Sequence, residues 1–408
     1  MSVQLLPANS PIKSAIRPRI ALALEYPLMQ QGGTEVLVRE LLRGLSQCFE
    51  LLLVSGDRNG SELPKEFLEL ICGQIFWDCE HATIQTAKDL AKDLNRRSVQ
   101  LAHFHFGGTY EWRSNRFGNS PVYHLARQGV PCLSTNHLVM EWMNCGVHPR
   151  RPLAYKLLAQ GYAWLSRAQV FRSLQLEICV SKHDRARLER MFPPFRRKIT
   201  QLYHSLLPSK PSPPTLQPRA PIVLCIGTIG GRKAQPNLVE AFARIAQKHP
   251  KWQLEIVGRV GVAEDLDRIR NCIAREGLTG RVHLPGRLSD EETVARMQTS
   301  SIISIPSLQE GLGLSLQEAL FYGCVGLGSR AGGIPELIED EVNGLLVPPG
   351  DIAALSEAMD RLMSDDRWLE KLRSQTRSSI VAKQMTADAM VQNYLELYEK
   401  TLSVSRHR

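Results

Sequence analysis

The sequence predicts an α/β protein of two Rossmann-like domains. Three observations carry this expectation. The chain has 408 residues, more than one hydrophobic core usually serves. Short apolar runs alternate with segments of helical periodicity, the pattern of parallel α/β layering. That rhythm breaks once, at Pro208, Pro211, Pro213, Pro214, Pro218 and Pro221, and then restarts.

In the first half, residues 19–24 (RIALAL) read as a buried strand. Residues 34–45 read as a helix, because Val36, Leu37, Leu41, Leu42 and Leu45 recur at helical spacing. Further strands are predicted at 51–54, 101–106, 130–135 and 178–181, with helices at 81–95 and 184–191. The prolines make 208–221 a stiffened linker. This gives domains at 1–207 and 222–385, followed by a terminal helical segment at 386–408. In the second domain strands are predicted at 222–226, 253–257, 282–284, 302–305, 325–328 and 344–347. Helices are predicted at 236–247, 264–275, 315–322, 353–364 and 387–402.

Composition narrows the function classes. With 43% hydrophobic and 22% charged residues, the chain buries a normal core and is not disordered over most of its length. Its nine cysteines stand singly, without C-x-x-C spacing, which argues against a disulfide framework and a zinc site. A reducing, cytoplasmic setting is the expectation. No run approaches the roughly 18 apolar residues of a spanning helix, and the first residues do not read as a secretory signal.

The net charge of +9 is asymmetric. Residues 1–200 hold 26 Lys and Arg against 17 Asp and Glu, and residues 151–200 hold 11 against 3. An anionic partner of that half is one reading: a membrane surface, a lipid phosphate or nucleic acid. A solvated basic face that binds nothing is the other.

The most informative stretch is PSLQEGLGLSLQEALFYGCVGLGSRAGGIP, from Pro306 to Pro335. Glu310 precedes Gly311, Leu312, Gly313 and Leu314, and Glu318 follows on a helix. Glycines let backbone N–H groups approach an anionic or polyhydroxyl ligand, and a helix start favours phosphate. A carboxylate can grip a vicinal diol. A second constellation, GTIGGRK from Gly227 to Lys233, puts three glycines, Arg232 and Lys233 between a strand and a helix, as a diphosphate cradle would. A third is Gly32-Gly33-Thr34-Glu35 at the first strand-to-helix turn. His137 lies just beyond the 130–135 strand, facing the crevice of an open sheet. Two patterns read as bland. Asp265-Leu-Asp267 sits on a charged helix where the carboxylates diverge, so a solvated face is expected. His103 and His105 share a strand face without a third metal ligand.

These residues resemble family 4 of the retaining glycosyltransferases, whose GT-B fold implies two Rossmann-like domains facing each other across a donor-binding cleft, with the terminal segment 386–408 packing back toward the first. Glu310 and Glu318 match its E-x7-E motif, GTIGGRKAQ its strand-loop segment and GGTE its first glycine loop. Ala331-Gly-Gly-Ile-Pro-Glu336 and Asn343-Gly344 match the next signature. The resemblance spans nearly the whole chain and is most specific over 222–350. It departs at Thr228, where many members have arginine, at His204-Ser205-Leu206, which replaces Asn-Gly-Val, and at Cys324, where proline is common.

The resemblance implies retaining transfer of a sugar from a UDP- or GDP-sugar donor to a glycan or lipid-linked acceptor, as in envelope polysaccharide or glycolipid synthesis. Neither a metal nor another cofactor is expected, nor is nucleic acid. Lys233 and Arg232 would meet the departing diphosphate. Glu310 would meet the donor sugar, Glu318 the ribose, and His137 the sugar near the reacting centre. The backbone of Gly32 and Gly33 would complete the phosphate site, with Gly227, Gly311, Leu312, Gly313 and Leu314 around the donor and Arg287 near the base. A GT-B-shaped isomerase or phosphorylase, or a noncatalytic nucleotide-sugar binder, is the competing class. Residues 151–200 are the expected contact with an anionic membrane face.

Overall fold

The computed structural model describes residues 17–29, 32–56, 63–79, 81–106, 118–139, 152–208 and 219–406. Two parallel sheets are present. The first contains β1 (Arg19–Leu24), β2 (Glu50–Ser55), β3 (Gly73–Phe76), β4 (Leu101–Phe106), β5 (Cys132–Asn136), β6 (Leu176–Cys179) and β7 (Ile199–Gln201). Their spatial order is β3-β2-β1-β4-β5-β6-β7. The helices around it are α1 (Gly33–Leu45), α2 (Lys65–Leu68), α3 (Ile84–Arg96), α4 (Pro121–Arg127), α5 (Leu153–Ser173) and α6 (Lys182–Met191).

The second sheet contains β8 (Ala220–Ile226), β9 (Gln253–Val257), β10 (Val282–Gly286), β11 (Ser300–Ile305), β12 (Val325–Ser329) and β13 (Gly344–Val347), in the order β10-β9-β8-β11-β12-β13. Its helices are α7 (Gln235–Ile245), α8 (Ala263–Arg275), α9 (Asp290–Thr299), α10 (Leu314–Phe321), α11 (Ile334–Leu337), α12 (Ile352–Ser364) and α13 (Asp366–Ala382). In each sheet the strand order reverses beside the first strand, between β1 and β4 and between β8 and β11. Ligands of open α/β sheets bind in the crevice outside such a switch point.

The central strands form where they do because both faces are covered. All six residues of β11 are buried, so an unbroken apolar or small-residue run is tolerated. Helix starts are fixed locally. The Thr83 hydroxyl accepts from the Thr86 N–H and the Ser289 hydroxyl from the Glu292 N–H, each within a capping box.

The chain returns to the first sheet at its end. Helix α14 (Ala387–Arg406) puts Met390, Tyr394, Tyr398 and Leu402 into the same core as Ile20, Leu22, Leu37 and Leu41. The outgoing and returning strands of this crossing are bonded together. The Ala387 N–H donates to the Leu207 carbonyl at 2.8 Å, and the Ser205 hydroxyl to the Met385 carbonyl at 2.9 Å. Most of the proline segment, 209–218, lies outside the described residues.

Sequence and structure differ at several elements. Strands β3 and β7 and helices α2, α4, α5, α9, α11 and α13 were absent from the sequence expectation. The helix expected at 81–95 begins at Ile84, because Thr83 is its capping residue.

Candidate active site

The second sheet's half of the site is built on two loops at its switch point. After β8, Gly227, Gly230 and Gly231 adopt positive φ of 154°, 123° and 56°, conformations that L side chains resist. These turns place Arg232 and Lys233 just ahead of α7. After β11, Ser307, Leu308, Gln309 and Glu310 run alongside. The Leu308 N–H donates to the Arg232 carbonyl at 2.7 Å, and the Arg232 guanidinium to the Gln309 carbonyl at 2.9 Å. Lys233 Nζ meets Glu310 Oε2 at 2.5 Å, and the Ser307 hydroxyl donates to the same oxygen at 3.2 Å. Arg232 lies 3.6 Å from Glu310 Oε1. Burial pushes the Glu310 carboxyl up, but the Lys233 and Arg232 charges outweigh it and hold the group below its usual range.

Eight residues on, Glu318 has no such cation. Burial, with a smaller contribution from the Asp290 charge, pushes it up to about 7. Arg287 is exposed at the end of edge strand β10. Among the described residues, no hydrogen bond or ion pair joins it to the other site residues.

The first sheet supplies the opposite wall. Gly33 opens α1 and lies against Leu314: a Cβ on it would sit 3.4 Å from Leu314 Cδ1. A Cβ on Gly311 would stand 2.1 Å from the His137 carbonyl oxygen, so these two backbones touch across the cleft. Glu336 is a second tie. Its carboxylate accepts the Lys182 and His183 N–H groups at the start of α6, at 3.1 and 2.9 Å, and the Tyr203 hydroxyl at 2.7 Å. The structure therefore brings together His137, Lys233, Arg232, Glu310 and the glycine loops, and Arg287 follows Gly286, whose carbonyl accepts the Gly258 N–H at 2.8 Å beside the Gly227 turn.

Sequence reasoning missed a network behind His137. His103 Nδ1 meets the Tyr398 hydroxyl at 2.5 Å, and its Nε2 meets Thr135 Oγ1 at 2.8 Å. Tyr394 meets Thr135 at 3.0 Å and His204 Nε2 at 2.7 Å. His105 Nδ1 lies 3.4 Å from His137 Nε2. Burial lowers His103 and His137 to about 3, the latter's charge adding to the effect at His103. All four imidazoles are thus neutral at pH 7. The shared strand face of His103 and His105 was legible; the Tyr398 hydroxyl that meets His103 comes from a helix nearly 300 residues away.

Asp265 corrects an expectation. It is not part of a solvated face: its Oδ2 accepts the Gly231 N–H at 2.7 Å and pins the Gly230–Gly231 turn. Asp267, on the diverging side of α8, is exposed.

Similarity to solved structures now decides the architecture. Sucrose-phosphate synthase of Thermosynechococcus elongatus superposes with a TM-score of 0.74 at 20% identity, covering 95% of this chain and 100% of that one. HepE of Anabaena in complex with UDP-glucose gives 0.70 at 16% identity, covering 93% and 99%. The chain has the GT-B fold. Residues 210–379 match the family model of glycosyl transferases group 1. Among curated relatives, alpha-D-kanosaminyltransferase of Streptomyces kanamyceticus is 28% identical over 37% of this chain and 39% of its own length. The MMP alpha-(1->4)-mannosyltransferase of Mycolicibacterium hassiacum is 30% identical over 42% and 41%. The matched stretches span less than half of either relative.

Proposed function

We propose that this GT-B protein is a nucleotide-sugar-dependent glycosyltransferase that acts with retention and without a metal. The observation that carries the reading is the Lys233–Glu310 pair, seated between two glycine loops at the switch point of the second sheet, with His137 and the start of α1 opposite. Lys233 and Arg232 stabilise the negative charge that builds on the leaving diphosphate. Glu310 accepts hydrogen bonds from the donor sugar, Glu318 grips the ribose diol, and the α1 N-terminus at Gly32 and Gly33 faces the phosphates. Metal independence is supported by the commitments of the carboxylates: Asp265 holds a backbone N–H and Asp267 points away. Retention rests on the resemblance of the E-x7-E segment. The MMP mannosyltransferase and a GDP-mannose-dependent phosphatidylinositol monomannoside mannosyltransferase of Mycolicibacterium smegmatis support a hexosyl donor and a glycan or lipid-linked acceptor.

A screen of UDP- and GDP-sugars by thermal denaturation tests the donor assignment. A ligand bound only by the native state at 100 times its Kd adds about 2.7 kcal/mol of stability, so one base series is expected to raise Tm. No shift with either series defeats the reading. The Glu318 assignment predicts a pH dependence. The ionised carboxylate accepts from the diol, and its pKa in the free protein is about 7. Affinity for UDP-glucose or GDP-mannose, whichever binds, is therefore expected to fall roughly tenfold from pH 8 to pH 6. Glu318→Gln should flatten this profile; an unchanged slope in the variant removes Glu318 from the ribose site.

Peripheral membrane contact belongs to the same proposal, on a surface narrower than 151–200. Lys198 donates to the Phe171, Arg172 and Leu174 carbonyls, Arg167 pairs with Glu177 at 2.7 Å inside the protein, and Phe171 and Phe192 are buried. These groups serve the fold. The exposed apolar residues are on α5, where Leu153 and Leu158 are 72% and 75% accessible and Leu157 and Leu165 are also exposed. Arg196 and Arg197 stand alongside, because the Trp164 indole donates to the Met191 carbonyl and Phe195 stacks on Phe171. Among the described residues no helix is long and apolar enough to cross a membrane. An apolar helix face flanked by cations suits the interface of an anionic bilayer. Co-sedimentation with anionic vesicles at low salt is expected, lost at high salt and in Leu157→Glu/Leu158→Glu. Equal binding to neutral vesicles, or none to either, rejects it.

A further inference from the structure

A cavity of ≈ 390 Å³ opens between α6 and the loops that follow β11 and β12. From α6 it is lined by His183, Arg187 and Arg190, and from the loops by Glu310 and Arg330. Leu138 and Val139, directly after His137, also line it. The volume is at the small end of ligand sites and suits a sugar-sized group rather than a long glycan segment.

Its charge is one-sided. The carboxylates that border it are already engaged. Glu310 is held by Lys233 and Arg232. Asp184 is buried, accepts the Val139 N–H at 3.3 Å, and is pushed by burial up to about 7. Three guanidiniums line the same cavity. Two of them have known bonds that leave donors over. Arg190 uses Nε on the Ala186 carbonyl, and Arg330 uses Nη2 on Asp340; a guanidinium carries five N–H donors. None of the three lies on the loop after β8, where Arg232 and Lys233 already provide for a donor diphosphate. A second cluster of arginines at the cleft, beside the carboxylate that meets the donor sugar, therefore fits a second anion.

We propose that this cavity is an acceptor subsite that holds an oxyanion, a phosphate or carboxylate carried by the acceptor sugar, through Arg187, Arg190 and Arg330. The assignment rests on the transferase reading and deepens it by naming the acceptor's chemical class. Arg187 and Arg190 come from the first domain and Arg330 from the second. An anionic acceptor would bridge the two domains on the face of Glu310 away from α7. Its hydroxyl would point toward the donor sugar, between Glu310 and His137.

The test is calorimetric titration of the full chain with glucose 6-phosphate, glucuronate and glucose, with UDP and GDP as probes of the donor site. At least one of the two anions is expected to bind tenfold or more tightly than glucose. The stronger of the two identifies phosphate or carboxylate as the preferred group. Arg187→Gln/Arg190→Gln, and separately Arg330→Gln, should weaken that anion tenfold or more and leave nucleotide affinity within twofold. Circular dichroism checks the fold, and Arg330→Gln keeps the test open where the double variant does not fold. Glucose binding as well as both anions, or no binding of any of the three, overturns the proposal. So does an equal loss of nucleotide affinity in the variants, which would give these arginines to the donor. Failure of the wild type to bind either UDP or GDP strikes the transferase reading itself, a result separate from each of these.

Discussion

Lys233→Met is expected to lower the rate of sugar transfer by about a thousandfold. Two losses act together. The first is structural. Glu310 is 7% exposed and keeps its charge because Lys233 Nζ sits 2.5 Å from Oε2. Without that cation the carboxylate retains only Arg232 at 3.6 Å and the Ser307 hydroxyl. Breaking a buried pair on one side costs about 3–5 kcal/mol, because the remaining charge is left desolvated. Glu310 would then take up a proton or move, and in either case loses its acceptor geometry. The second loss is in the transition state, where removal of one preorganised charge donor typically costs about 10²–10³ in rate. The losses overlap, since one side chain serves both, so they do not multiply. Lys233→Arg keeps the charge but not the compact ammonium, and should recover part of the rate. Activity within tenfold of wild type in Lys233→Met would remove Lys233 from the reaction centre.

The residues most legible in the sequence are those whose local backbone does the work. The glycines at 227, 230 and 231 are close in sequence and adopt positive φ where the turn needs it. Glu310, Gly311 and Gly313 likewise announce a loop entering a helix. The strand-helix alternation marked the central strands of both sheets because parallel strands covered on two faces must be apolar runs, whereas edge strand β3 is half exposed and edge strand β7 has three residues, too little to show the pattern. Helices α9 and α13 escaped for the opposite reason. Helix α13 buries only Leu369, Leu372, Thr376 and Ile380 among many charges, a stripe too thin to stand out. Asp265 escaped because helical spacing shows only that it diverges from Asp267. Which side meets another loop depends on where Gly231 lies after folding. The His–Tyr network and the Glu336 tie join groups far apart in the chain, His103 with Tyr398 and Lys182 with Glu336. Such pairs have no local pattern. Yet they matter energetically: Tyr394 and Tyr398 are fully buried, and a buried partner left without its hydrogen bond costs about 1–3 kcal/mol.

Gly311→Ala is expected to cut turnover about a hundredfold while leaving nucleotide binding largely intact. Gly311 is not at a positive φ, so alanine fits its backbone conformation and the effect is one of space. The added Cβ would stand 2.1 Å from the His137 carbonyl oxygen, a backbone atom that no rotamer change can move. The loop cannot retreat the other way. The Gly333 N–H donates to the Gly311 carbonyl at 3.0 Å, and a Cβ on Gly332 would already lie 1.6 Å from the Glu310 carbonyl oxygen. Residues 310–311 are therefore held between the 331–333 turn and the end of β5. Relief comes only by parting the two domains at His137 or by shifting the loop that carries Glu310. Either displaces His137 from Glu310 on the ångström scale, and misplacement of about 1 Å can cost 10²-fold in rate. The nucleotide contacts proposed for Lys233 and Glu318 lie within the second domain and only that of the Gly32–Gly33 backbone crosses the cleft, so UDP or GDP affinity should stay within a few-fold. Gly161→Ala is the control: nothing lies within 4 Å of its Cβ position on α5, and it should keep full activity. Near-wild-type turnover in Gly311→Ala would mean that the contact between these two backbones is not the working arrangement of the cleft.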